Sequence, residues 1–445
     1  MTENAHDIEA TPAHPSFAEA LRFWLKLGFI SFGGPTGQIA IMHQELVDRK
    51  RWIGEQRFLH ALNFCMLLPG PEAQQLAIYC GWLLHRTWGG LAAGMLFVLP
   101  AAFILWGLSY VYVTAGHVGW VAAVFYGLKP AVLAIVASAV LRLGQKALKN
   151  AVMGSIAALA FVAIFFFHAP FPAIVAGAAL IGWLGGLRWE NLFNVVQGHG
   201  GRRAGIPAAV IDDAHAAPAH ARPSLGRTAR VLVIGLGLWW TPVLLVGLGL
   251  GWSGTLAQEG FFFSKAALVT FGGAYAVLPY VGQQAVENYH WLTGAQMLDG
   301  LGLAETTPGP LIMVLQFVGF LGGWNHPGGL PPLGAATLGA ALTTWVTFVP
   351  CFLWIFLGAP YLEQLRRQTR LTCALSGVTA AVVGVVLNLT VWFGGQALVP
   401  GGTVLDWFAL ALALAAFGAL QFGKFGLIPV VFASAALGLL RHFVH

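Results

Sequence analysis

Charge is what this 445-residue chain has least of: Asp, Glu, Lys and Arg make up 9% of it, against 58% hydrophobic residues and a mean hydropathy of +0.74. A soluble protein of this size covers its core with polar surface, and so few charges cannot supply that cover. Lipid must do the covering. Cysteine is scarce too. Cys65, Cys80, Cys351 and Cys373 all lie in apolar segments without CxxC spacing, which argues against a disulfide framework or a cysteine metal site and makes them buried small hydrophobes.

Other absences narrow the class further. The first fifteen residues are polar, with Asp7, Glu9 and two prolines. They lack the basic start, apolar core and cleavage site of a secretory signal, so no cleaved signal peptide is expected. There is no HExxH and no GxSxG, so no enzyme, metal site or cofactor is expected. His199, His215 and His220 are too scattered for a ligand set and read as solvated linker. Period-two alternation is missing from the apolar runs, as in Ala131 to Ala139, which favours helices over a β-barrel. The net charge of +6 comes from basic residues clustered beside apolar spans, the pattern of cytoplasmic membrane loops rather than of nucleic-acid binding.

What is present is a set of stretches near the roughly 20 apolar residues that a spanning helix needs. They fall at 91–113, 118–142, 151–187 (two, broken near His168), 228–250, 333–357, 371–393, 403–421 and 425–443, giving nine expected full spans of an all-α polytopic membrane protein.

A repeat runs through the chain. Phe32-Gly33-Gly34 recurs as Phe271-Gly272-Gly273, Trp52 as Trp291, Pro69-Gly70-Pro71 as Pro308-Gly309-Pro310, Lys26 as Lys265 and Asp48 as Glu287, each pair 239 positions apart. Further on the offset becomes 250, pairing Pro100 with Pro350 and Lys129 with Thr379. The expected organisation is an N-terminal transporter repeat (1–187), a polar, mobile cytoplasmic linker rich in Arg, Gly, Ala and Pro (188–227), an unpaired inverting helix (228–256) and a C-terminal transporter repeat (257–445).

Arg142, Lys146 and Lys149, the linker arginines, and Arg366, Arg367 and Arg370 are expected on the cytoplasmic side, because the connections near 115, 168, 254 and 398 carry no Lys or Arg. The loop after the first FGG carries Arg49, Lys50, Arg51 and Arg57, whereas its copy over 273–298 carries none. The two halves should therefore be inverted. Residues 17–47 and 59–85, with their copies, then read as four re-entrant hairpins turning at FGG and PGP. Limbs of about 9 and 13 residues would reach about 14 to 20 Å, half of a hydrocarbon core of about 30 Å. The alternative is up to thirteen complete spans.

Non-helical backbone deep in a membrane survives only inside protein or beside a wet cavity. The motif residues Gly33, Gly34, Pro69, Gly70, Pro71, Gly272, Gly273, Pro308, Gly309 and Pro310 are therefore expected to form a shared central site, where free helix-start N–H groups attract anions. Lys26, Lys265 and Lys129 are candidate cations there, with interfacial snorkelling as the alternative. Gln75, beside Gln74, and Thr307, beside Thr306, offer neutral contacts, Thr307 as a donor to an oxyanion. Glu72 and Glu305 are candidates for proton coupling, although Glu72 could instead stabilise the helix start after Pro71. Trp52 and Trp291 read as interfacial anchors.

FGGPTGQIAIMHQELV, the basic stretch ending in RW, LLPGPEAQQLAIYCGW and its copy LAETTPGPLIMVLQFVGF together resemble the two-domain, long-chain form of the chromate ion transporter family over nearly the whole chain. The resemblance implies a multi-pass inner-membrane protein exporting chromate from the cytoplasm, conferring chromate resistance, driven by membrane potential or proton motive force. Sulfate or another tetrahedral oxyanion is the alternative substrate, and an anion channel the alternative mechanism. The partners implied are that oxyanion and the lipid bilayer, and monomer and homodimer both stay open. Expelling a dianion from a negative interior gains about 4.6 kcal/mol per 100 mV, twice the value for one charge.

Overall fold

A computed structural model describes residues 12–32, 34–194, 209–211, 223–271, 273–361, 369–400, 402, 404–423 and 425–444. Its helices are α1 (Phe17–Ile30), α2 (Gly34–His43), α3 (Glu55–Cys65), α4 (Glu72–Ala115), α5 (Gly119–Ala147), α6 (Ala151–Phe167), α7 (Phe171–Arg188), α8 (Glu190–Phe193), α9 (Leu225–Leu250), α10 (Thr255–Val269), α11 (Ala274–Gln283), α12 (Gly294–Thr306), α13 (Val314–Asn325), α14 (Pro332–Gly358), α15 (Thr369–Leu398), α16 (Trp407–Gln421) and α17 (Leu427–Val444). Among the described residues there is no strand, only an isolated bridge between Ile53 and Ile211. Polar side chains start several helices: Ser16 accepts from the Glu19 N–H, Asn150 from Met153, and Thr293 forms a capping box with Gln296.

Among the described residues, seven helices are long and apolar enough to cross a membrane. They include α4, α5, α7, α9, α14, α15 and α17, and their outer faces carry large exposed apolar side chains such as Phe103, Val233, Leu248 and Phe432, which only lipid would tolerate. Two of the nine expected spans are shorter: α6 has 17 residues and α16 has 15. The protein is an all-α polytopic membrane protein.

The sequence repeat has a backbone counterpart. Both α2 and α11 run into π-helical turns, at Gln44–Arg49 and Gln284–Asn288. Left-handed residues then follow at Arg51 (φ 50°) and His290 (φ 54°). Gly34 and Gly273 have φ of 69° and 93°, and Gly70 and Gly309 of 121° and 109°. The Trp52 N–H donates to Leu46 and that of Trp291 to Ala285, both at 2.8 Å. The left-handed residues, the four glycines and both ends of these hydrogen bonds keep the 239-residue offset.

In α4 the helical path breaks at His85 and Arg86 (φ 54°, ψ −149°). The segment before the break folds back on the one after it, with Gly81 against the Gly89 carbonyl and Gly94 against Ile78. In the second half α13 and α14 pack the same way, through Gly323 against Ala335 and Gly319 against Thr343. Thus 72–84, α12 and α13 span about 18 to 20 Å each at 1.5 Å per residue, shorter than a bilayer core.

The halves are intertwined rather than side by side. Helix α5 packs on α16 and α17, and its counterpart α15 packs on α6 and α7. Small residues allow the approach: Gly127 meets Ser434 and Gly438, Gly377 meets the Ala178 carbonyl, and Gly384 meets the Ala157 carbonyl. Without a hydrophobic force between helices in lipid, such close packing is the main source of cohesion.

Two sequence expectations need correction. Trp52 and Trp291 are not interfacial anchors but core residues, 3% and 1% exposed. Trp52 packs edge-on against Phe23, and Trp291 stacks on Tyr289 and Phe263, because the π-helical turns direct both indoles inward. Second, although most of the linker lies outside the described residues, Val210 and Ile211 are docked: their N–H groups donate to the carbonyls of Arg51 and Trp52, and Ile211 accepts from Gly54.

A leucine at Gly384 would drive its Cβ into the Ala157 backbone. Gly384→Leu is expected to cost about 1–3 kcal/mol, read as a lowered Tm of the purified protein in detergent, whereas Gly154→Leu, at a position open around the Cβ, should leave it unchanged.

Candidate functional site

The two helix breaks sit between α1 and α2 and between α10 and α11. At each, a hydroxyl closes the preceding turn: Ser31 donates to the Leu27 carbonyl and Thr270 to that of Ala266, both at 2.6 Å. Their own carbonyls then point out of the helix with no intrahelical donor, a costly state in a dry interior. Each is satisfied from the opposite half. The Gly309 N–H donates to the Ser31 carbonyl at 2.8 Å, and the Gly70 N–H to the Thr270 carbonyl at 2.7 Å. The structure thus brings each FGG segment to the PGP of the other repeat.

Only glycine fits the two PGP centres. Both have φ in the left-handed region, and a Cβ on Gly70 would lie 2.8 Å from the Cys351 sulfur, while one on Gly309 would strike Ala101. Ala101 and Cys351 are themselves 250 positions apart, the offset of the second part of the repeat. Gly34 and Gly273 also need positive φ, whereas Gly33 and Gly272 lie outside the described residues. Pro71 precedes α4 and Pro310 the short 3-10 turn Leu311–Met313; Pro69 and Pro308 complete the two turns.

Polar side chains gather at this crossing. Buried Gln38 donates to the Gly309 carbonyl at 2.6 Å and to that of Ser31 at 3.3 Å, and Gln75 donates to the Pro69 carbonyl at 2.8 Å. The Gln75 carbonyl oxygen and both polar atoms of Gln74 are buried without a partner. These are the groups that a polar cargo or ordered water would satisfy. Thr307, by contrast, spends its hydroxyl on the Ala304 carbonyl, and Thr306 on Gly302 and Leu303.

The charged candidates divide. Lys26 and Lys265 are exposed, turned away from the buried faces of α1 and α10, and make no hydrogen bond or ion pair among the described residues. Lys129 instead faces Asp299 at 3.6 Å beside a cavity of about 380 Å³. Glu305 is buried and accepts from the Tyr275 hydroxyl at 2.5 Å, and Glu72 is half-buried at the start of α4. Arg142 and Lys146 lie further along the same helix, α5, as Lys129, and both are exposed. Of these three acids, Asp299 alone has a cation within ion-pair distance among the described residues.

Sequence reasoning missed Gln38, Asp299 and Glu259. Glu259 is wholly buried in α10, occupying room left by Gly322 and Gly339, and neither of its oxygens has a hydrogen-bond partner among the described residues. An acid within an apolar run was the available signal for Glu259 and Asp299; Gln38 had none beyond its place four residues after Gly34. Away from the crossing, the His43 imidazole bridges Glu55 (2.6 Å) and Asp48 (3.4 Å) and ties the first π-helical turn to α3.

Comparison with known proteins decides the family. The sequence profile of the family described as "Chromate transporter" matches residues 18–183 and 257–439, most of the chain. This chain belongs to the chromate transporter family. It is 29% identical over 444 residues to a chromate transport protein of Cupriavidus metallidurans, covering 99% of this chain and 97% of that one. It is 32% identical over 395 residues to a chromate transport protein of Pseudomonas aeruginosa, covering 86% and 82%. An uncharacterized transporter of Methanocaldococcus jannaschii is 24% identical over 439 residues, covering 98% and 97%. No solved structure matches the chain significantly. Membership of the chromate transporter family points to a transporter rather than an enzyme.

Alanine at either PGP glycine should strain the crossing by about 1–3 kcal/mol, and so lower transport by about tenfold or more. Gly70→Ala and Gly309→Ala are expected to do this at normal expression, while Gly107→Ala, where a Cβ meets open space, should transport as the wild type does. Radiolabelled oxyanion flux in membrane vesicles is the measurement.

Proposed function

We propose that this protein is a secondary transporter of the inner membrane that exports chromate from the cytoplasm and so confers chromate resistance. The observation that carries the reading is the reciprocal crossing of broken helices, each PGP glycine bonded to the opposite half's break, in a family whose named relatives are chromate transport proteins. Such a crossing is a place where unwound backbone and polar side chains can replace part of an anion's hydration shell.

On this reading the repeats 1–187 and 257–445 are inverted, with α9 as the inverting helix, and the broken segments enter from opposite faces. The dianion moves along α5, where Lys146, Arg142 and Lys129 offset its charge in turn, and passes the Gln38 and Gln75 carboxamides at the crossing. Membrane potential favours outward movement of a dianion, about 4.6 kcal/mol per 100 mV from twice the single-charge value. Glu72, which makes no hydrogen bond among the described residues, is the carboxylate placed to exchange protons with the cytoplasm; Glu305 is held by Tyr275.

Everted vesicles, whose outer face is the cytoplasmic one, test the reading. Under an imposed potential, wild-type vesicles should take up radiolabelled chromate saturably, sulfate should compete, and Lys129→Ala should lose about tenfold or more of the rate. No chromate uptake above that of vesicles lacking the protein would sink the export reading.

A further inference from the structure

Lys129 has a competitor for any anion that reaches it. The cavity of about 380 Å³ lies where the end of α4, the first turns of α5, the start of α12 and the end of α13 meet, and Tyr112, Lys129, Gln296, Asp299, Trp324 and Asn325 line it. At about 30 Å³ per water, it has room for a tetrahedral oxyanion with part of its hydration shell. Asp299 is 4% exposed, and its Oδ2 accepts the Tyr112 hydroxyl at 2.9 Å and faces the Lys129 ammonium at 3.6 Å. The other oxygen, Oδ1, is buried and has no partner.

Resting on the export reading, we propose that Asp299 is a resident counter-anion that competes with the transported oxyanion for Lys129 and so forces its release from this cavity to the outer side. The geometry suits competition rather than a permanent structural pair. At 3.6 Å the contact is longer than a charge-assisted hydrogen bond, so Lys129 keeps donors for a second anion. One carboxylate oxygen remains uncompensated, so the pair is not the fully satisfied arrangement that a stabilising buried ion pair requires. When the oxyanion sits on Lys129, two anions share one cation. That arrangement is unfavourable and ends when one leaves. Asp299 is tethered to α12 and Tyr112, so the oxyanion is the one to go, and the re-formed pair leaves the cavity neutral for the next cycle.

Lys129 and Tyr112 are the ionisable groups that act on Asp299 among the described residues. The device is present in one half only: the positions matching Asp299 and Lys129 are His60 and Thr379. A competitor confined to one end of the path gives the carrier a preferred side for release.

The test is sulfate and chromate binding to the purified full-length protein by isothermal titration calorimetry, with initial transport rates measured in proteoliposomes. Asp299→Asn, which keeps the side chain's shape and removes its charge, should bind oxyanion about tenfold more tightly while its maximal transport rate falls, and Asp299→Glu should stay near wild type in both. The double variant Lys129→Gln, Asp299→Asn should lose the gain in affinity. A structural role alone would weaken binding and rate together. Unchanged or weaker binding by Asp299→Asn overturns the proposal, and Asp299→Ser gives the same test if the asparagine variant does not fold. If the wild type binds neither anion, the export reading falls and this inference with it; if the wild type binds and Asp299→Asn matches it, this inference alone falls.

Discussion

Two backbone carbonyls, those of Ser31 and Thr270, set the architecture. A helix broken inside a membrane leaves such groups without water to solvate them, and each unsatisfied one costs several kcal/mol. Here each is capped by the N–H of a PGP glycine from the opposite half. The PGP turns must therefore reach across the molecule, which requires glycine at 70 and 309, a small neighbour at Ala101 or Cys351, and halves that exchange helices. The pairing of α5 with α16 and α17, and of α15 with α6 and α7, follows the same interlocking plan.

Over that near-symmetric backbone the side chains are asymmetric. Helix α5 carries Lys129, Arg142 and Lys146, whereas α15 has Thr379 where α5 has Lys129, and Trp392 and Gln396 where it has Arg142 and Lys146. The acid that faces Lys129, Asp299, comes from the second half. Duplicated backbone supplies a crossing with two equivalent approaches, and the charge laid over it is unequal.

The nine helical stretches and the breaks at glycine and proline were legible in the sequence because each rests on local signals: apolar runs, and glycine and proline at fixed offsets. Which motif meets which was not legible. The offset of 239 pairs FGG with FGG and PGP with PGP, whereas the fold bonds the residue just before FGG of one half to the PGP glycine of the other, a long-range result of packing. Lys26 and Lys265 stand out in the sequence as repeated cations, yet helix phase turns them outward; Asp299 stands out only as an acid in an apolar run, and its partner, Lys129, lies 170 positions away. The burial of Trp52 and Trp291 depends on π-helical turns that no residue pattern announces.

The most direct test of the central claim, that two oppositely oriented halves meet at one crossing, is the sidedness of a repeat-equivalent pair. Asp48 and Glu287 are both exposed and 239 positions apart, and all four native cysteines are buried. With a membrane-impermeant maleimide, Asp48→Cys should label only in everted vesicles and Glu287→Cys only in intact cells or spheroplasts. Labelling of both from the same side would contradict the inverted arrangement and the shared site built on it.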